Sequence, residues 1–286
     1  MRPRTSSPVQ NLICLTLLFL AASPAWCERN SIQNELRPML KEKIVLLHGF
    51  HRGKTLHYDA NGKLLDQVNN GYWSSDGMVQ ISDARVEKNL TLVVKGFRIV
   101  SKFDEDTGKF VNLKTKVPIK LLISLDPSWQ DSAPVQRLLA KVFATDFDTT
   151  LAGVLPEYWN CWVSGKVTRD KRFGWKCSSN DSQVKNENLA KVYTIGEDIK
   201  PPRVLSQEEP HFTELAREAK VQGIVVLSVI VDEFGNPHLT GIARPLGAGL
   251  DDVAIENLRN WHFSPATRNG EPVAVSVNME VSFRLY

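Results

Sequence analysis

The chain has 286 residues, 42% hydrophobic and 23% charged, a globular balance that excludes a disordered or fibrous protein and leaves room for two modest domains. A formal net charge of +3 is close to neutral and argues against nucleic acid as a partner. The charge is uneven: from residue 201 on, seven Lys or Arg face eleven Asp or Glu, whereas residues 28–200 carry twenty-six against twenty-one. Opposite signs favour docking of the two parts, and ordinary solvated faces explain them equally well.

The N-terminus reads as a targeting segment. Arg2 and Arg4 precede an apolar run at residues 12–22, and Ser23-Pro24-Ala25 supplies small residues suited to cleavage. The run falls short of the roughly 20 residues that cross a bilayer. A secretory signal peptide is therefore the first reading of residues 1–27, and an uncleaved anchor the second. Trp26, before Cys27, argues against a lipidated cysteine. Cys14 and Cys27 belong to this segment, which leaves Cys161 and Cys177. In an oxidising compartment a disulfide between them is expected, contributing roughly 3 kcal/mol in the chain-entropy model, with two buried free thiols as the alternative.

Residues 36–125 read as strands separated by turn chemistry. Residues 44–47 form a buried-looking strand, Asp59-Ala60-Asn61-Gly62 and Asn69-Asn70-Gly71 are turns, and residues 90–94 and 97–100 are apolar runs broken at Gly96. Residues 28–130 are thus predicted as a mainly β domain, a small antiparallel barrel or sandwich. Residues 131–143 change to helical spacing, with Val135, Leu138, Leu139, Val142 and Phe143 on one face and Ser132 as N-cap. They open a connecting region, residues 131–200. Within it Trp159, Trp162 and Trp175 beside the cysteine pair predict a small satellite core, and residues 178–188 read as a polar loop.

Pro201-Pro202 is a hinge into the last domain, residues 201–286. A short helix is predicted at residues 212–220 with Thr213 as cap, and a nearly all-apolar strand at 223–231. A turn at 233–236 leads to a return strand at 237–243. A second helix carries Leu250, Ala254, Leu258 and Trp261 on one face, with Asp251 and Asp252 at its positive end. Residues 273–286 alternate strictly: Val273, Val275, Val277, Met279, Val281, Phe283 and Leu285 against Ala274, Ser276, Asn278, Glu280, Ser282 and Arg284. That period of two marks a long strand with one buried and one wet face. The order helix, strand, strand, helix, strand predicts an α+β domain, a three-stranded antiparallel sheet with two helices on one face.

The last domain resembles the TonB C-terminal domain family. The resemblance is carried by Pro210-x-Phe212 with Ala216-Arg217, Gly223 and its valine-rich strand, and the turn at 232–235. It continues through Gly249-Leu250-Asp251 with Ala254, Trp261-x-Phe263-x-Pro265-Ala266, and Gly270-x-Pro272-Val273. Phe212-Thr213 stands where the family usually has Tyr-Pro. The resemblance implies an envelope protein that captures extended segments of gated outer-membrane receptors by adding them to its sheet, with inner-membrane motor proteins as further partners. By that analogy the contact falls on the final strand, at Ser276, Asn278, Glu280, Ser282 and Arg284. A homodimer through the same strand is also open. A periplasmic location follows, whether the chain is cleaved or held by an uncleaved anchor. Two readings stay open: an energy transducer that keeps residues 1–27 as its anchor, and an exported adaptor that transmits no force.

Enzyme readings find little support. Residues 43–55 (KIVLLHGFHRGKT) mimic a phosphate loop after a strand, but three residues separate Gly49 and Gly53 where four are required. His48, His51 and His57 match no structural zinc spacing. No nucleophile motif or acid–base pair stands out, so we read the chain as a non-enzyme without a cofactor.

Overall fold

The structure, a computed structural model, describes residues 24–129, 131–144, 155–170, 174–177, 191–196 and 198–285. The apolar run at 12–22 and the loop expected at 178–188 lie outside the described residues. In chain order the first half comprises α1 (Pro24–Leu40), β1 (Ile44–Leu47), β2 (Thr55–Tyr58), α2 (Trp73–Asp76), β3 (Met78–Val86), β4 (Thr91–Asp104), β5 (Lys109–Ser124), α3 (Ala133–Val142) and β6 (Phe143–Ala144). Then come α4 (Glu157–Val163), β7 (Val167–Asp170), β8 (Gly174–Cys177), β9 (Val192–Thr194), β10 (Ile199–Lys200) and β11 (Arg203–Ser206). The last part holds α5 (Glu214–Glu218), β12 (Gly223–Val231), β13 (Pro237–Arg244), α6 (Leu250–Leu258), β14 (His262–Ser264), β15 (Ala266–Arg268) and β16 (Glu271–Phe283).

The first sheet has the order β2-β5-β4-β3-β1-β6, antiparallel except where β2 runs parallel to β5. Its apolar runs are buried on both faces. In β1, Val45 and Leu47 join one core while Leu46 joins the other; in β4, Leu92 and Val94 take the first and Ile99 and Phe103 the second. The first core is closed by Ile32, Leu36 and Leu40 of α1 and by Val135, Leu138, Leu139 and Val142 of α3. The barrel or sandwich predicted from the strand spacing is thus replaced by one sheet with helices on one face. Strand spacing reports the strands but not what covers them. β4 also runs unbroken through Gly96, and the irregularity against β5 falls just after it, between Phe97 and Ile99. Ser132 occupies the N-cap of α3, but its hydroxyl donates to Glu35, and Asp131 instead accepts the Ala133 N–H at 2.9 Å.

In the last domain the helices and strands follow the predicted order. β12 is the centre: it pairs antiparallel with β16 from Gly223↔Phe283 to Val231↔Val275, and with β13 on its other flank. The sheet is larger than three strands, with the order β10-β15-β16-β12-β13 and β9 added to β16. Val225, Leu227, Val229, Met279, Val281 and Phe283 share a core with Leu250, Ala254 and Leu258 of α6. Thr213 caps α5, accepting the Ala216 N–H at 3.0 Å. Trp261 and Phe263 are buried in the same core.

That core continues into the first sheet. Trp73, Phe103, Trp159 and Trp162 join it, with edge-to-face rings 5.2 Å apart in both Trp73–Trp159 and Phe103–Trp162. Trp159 and Trp162 are therefore not a satellite core; they fill the space between two sheets, which no local sequence pattern reveals. Backbone bonds lock the seam: Phe103 N–H donates to the Leu246 carbonyl at 3.0 Å and Ala248 N–H to the Ser101 carbonyl at 2.7 Å. Gly247, between them, has φ +90°, and a Cβ there would fall 2.1 Å from the Ser101 oxygen. Only glycine fits that approach.

Candidate functional site

The candidate site is the free flank of β16. Its odd residues Val275, Met279, Val281 and Phe283 are buried, with Val277 partly so, while Ser276, Asn278, Glu280 and Ser282 are exposed, as the alternation predicts. One flank is fully used by β12. On the other, β15 pairs with residues 271–273 and β9 pairs in parallel with residues 274–276. From 277 to 283 no described residue pairs on that side.

The direction of the backbone groups follows from neighbouring bonds. Asp232 N–H donates to the Asn236 carbonyl at 3.0 Å, so residue 232 turns toward β13 and Val231 turns toward β16, where it meets Val275. Successive residues of a strand alternate in this respect. The odd residues of β16 therefore bond to β12, and Leu285 N–H, 3.3 Å from Gln222 Oε1, keeps the same sense. Asn278, Glu280 and Ser282 turn their N–H and C=O groups to the open flank. A row of such groups is a template for another strand.

Of the five residues singled out from sequence, Ser276 lies opposite Thr194 of β9 and Ile230 of β12. Asn278 lies opposite Ser228, whose hydroxyl donates to Asn278 Oδ1 at 3.3 Å; Glu280 lies opposite Val226 and Ser282 opposite Ile224. Arg284 is exposed just beyond the strand. The wet face of this strand borders a groove of about 560 Å³ whose walls include Glu105, Arg169, Trp175 and Arg244. Two of those walls, Glu105 and Trp175, are tied by the Trp175 Nε1–H donating to the Glu105 carbonyl at 2.6 Å. Cys161 is disulfide-bonded, and the Cys177 backbone pairs with Val167.

β9 was hidden from sequence reading because three residues are too few to show a period. It is held by side chains as much as by pairing. The Tyr193 ring has the Lys191 ammonium 4.9 Å and the Arg268 guanidinium 5.2 Å from its centroid, and Arg268 Nε is 2.7 Å from Asp198 Oδ2.

A second cluster sits at the seam, on α6. Asp252 Oδ1 accepts from Tyr158 Oη and Trp159 Nε1, both at 3.1 Å, and Glu256 accepts from Tyr72 Oη at 2.8 Å. Burial pushes the Asp252 carboxyl up to about 6, against the pull of those two donors. Asp251 accepts the Leu246 and Gly247 N–H groups at 2.7 and 2.6 Å, yet full burial pushes it up to about 8. These carboxyls fasten the seam.

The loop that mimics a phosphate site points the wrong way. The buried Arg98 guanidinium donates to the carbonyls of His51 at 2.7 Å and Gly53 at 3.2 Å, so the loop turns acceptors inward to a cation. β2, not a helix, follows it. His57 pairs with Asp66 at 2.9 Å. Among the described residues, no group of three or more His, Cys, Asp or Glu is placed to hold a metal.

The fold and the open flank define an α+β domain with a partly used sheet edge, fused through its core to a larger β domain. Residues 208–285 match the family described as Gram-negative bacterial TonB protein C-terminal, and this part of the chain belongs to it. The chain is 31% identical over 87 residues to Protein TonB of Vibrio cholerae serotype O1, covering 30% of this chain and 36% of that protein. It is 35% identical over 77 residues to Protein TonB of Xanthomonas campestris pv. campestris strain B100, covering 27% and 34%. The match thus spans about a third of the length of these relatives.

Proposed function

We propose that the last domain binds extended segments of outer-membrane transporters by strand addition to β16, in an envelope protein that serves energy-dependent transport. The observation that carries this is the open flank at 277–283, where Asn278, Glu280 and Ser282 direct unpaired backbone groups outward beside a ladder complete on its other side. Membership of residues 208–285 in the TonB C-terminal family supports it. The binding surface is then Asn278, Glu280, Ser282 and Arg284, with Ser276 at its margin. Backbone groups supply affinity and the neighbouring side chains supply preference. The chain acts by holding a partner, not by chemistry, in the periplasm.

The test is Glu280→Pro. Residue 280 turns its N–H away from β12, so proline removes an outward donor and spares the ladder. We expect the full chain to keep its fold by circular dichroism and to lose calorimetric binding of an extended receptor peptide by at least about tenfold. Unchanged affinity would move the site off β16.

A second reading, an exported adaptor without force transmission, is favoured by the shared core. A domain packed against the first sheet through Trp159, Trp162 and Phe103 has no slack to reach across a compartment. Mass spectrometry of the N-terminus in membrane and soluble envelope fractions separates the two: residues 1–27 retained in the membrane fraction supports the transducer, and their loss supports the adaptor.

A further inference from the structure

Three features make β9 more than a connecting segment. It pairs with β16 in parallel at 274–276, in line with the unpaired stretch that begins at 277, so this flank demonstrably accepts a strand. It is thinly held: Val192 and Thr194 are exposed, and Tyr193 rests in a surface clasp of Lys191 and Arg268. Downstream the chain is anchored at Ile199, which is buried in the core and whose strand pairs with β15. Between clasp and anchor lies Gly196, followed by the Asp198 that grips Arg268.

Resting on the strand-addition reading, we propose that β9 is a self-docked strand that limits an incoming extended segment to the slot opposite 277–283. A longer segment gains further pairing only by peeling residues 191–196 away from Ala274, Val275 and Ser276. The slot is seven residues long, and removing β9 extends it by three to residue 274. The Tyr193–Arg268–Asp198 clasp sets how readily that happens. The occupant is an extended, proline-free peptide of another protein, since a proline in the slot would forfeit a ladder bond.

The experiment uses the full chain and fluorescent alternating Val-Thr peptides with terminal lysines, from about five to about twelve residues long. Anisotropy reads affinity, and amide exchange reads residues 192–194. For the native chain we expect affinity to level off at about seven residues. Tyr193→Ala should leave short peptides unchanged and tighten peptides of about ten residues roughly tenfold, the size of two lost ring–cation contacts. Long peptides should raise exchange at 192–194. Asp198→Asn, a milder change at the clasp, should shift the plateau in the same direction and covers the case in which Tyr193→Ala misfolds. A length dependence without a plateau, or one that neither variant moves, overturns the inference while leaving strand addition standing. No binding of any peptide, or occupancy of the flank by a second copy of the chain seen as a concentration-dependent mass, overturns both.

Discussion

Asp252→Asn isolates the carboxyl that joins α6 to the aromatic seam. In the native chain both hydrogen bonds to this side chain, from Tyr158 and Trp159, go to Oδ1, and Oδ2 is buried with no hydrogen-bond partner. An asparagine keeps the accepting oxygen and places an amide where Oδ2 stood. The charge is removed, and two amide N–H donors enter a position without a partner, a cost that does not vary with pH. Asp252 has a folded value of about 6, raised above its unfolded value. The stability it contributes is therefore fully present below about pH 4 and lost as pH rises through about 6. From about 3.9 to about 6 is about 2 pH units, or about 3 kcal/mol. We expect the stability of Asp252→Asn relative to the native chain to rise by about 3 kcal/mol between pH 4.5 and pH 7.5, a relative gain of roughly 6–12 °C in melting temperature. Thermal melts of both chains across that range are the assay. The Asp252 charge also helps raise Asp251, so Asp252→Asn lowers Asp251 toward its ordinary value and adds to the gain at high pH. A difference that stays constant with pH would refute the burial of a titrating carboxyl at the seam.

Other expectations follow from single sites. Val281 is 2% exposed opposite Val225, so Val281→Asp buries an unpaired charge and should cost roughly 4 kcal/mol or more, seen as loss of the cooperative melt of the last domain. An unchanged melt would mean the register is wrong. We propose that Cys161 bonds to Cys177. Non-reducing peptide mapping should recover that pair, and Cys161→Ser should lower stability by roughly 3 kcal/mol. A peptide joining Cys161 to another cysteine would refute the pairing.

The last domain was legible because its signals are local. The alternation marked the buried side of β16 from Val275 onward, although Ala274, expected on the wet side, is buried; the apolar run at 223–231 marked β12, and Thr213 marked the start of α5. The first domain was less legible because its partners are distant. Among its described side chains α1 buries Ile32, Leu36 and Leu40, a stripe one residue wide in mostly polar text, with Pro38 inside the helix. Residues 44–47 announced a buried strand, but not that helices lie over one face of its sheet and another domain over the other. The candidate site was half legible. Its strand was named from sequence, whereas its limits were not, because β9 is three residues long and is held by Arg268, seventy-five residues beyond Tyr193.

Hydrogen exchange along β16, read residue by residue with and without an extended receptor peptide, tests strand addition most directly. We expect the amides of Asn278, Glu280 and Ser282 to slow strongly on binding, while those of Val277, Met279 and Val281, already bonded to β12, change little. Protection appearing on another edge, or falling equally on odd and even residues, would contradict it.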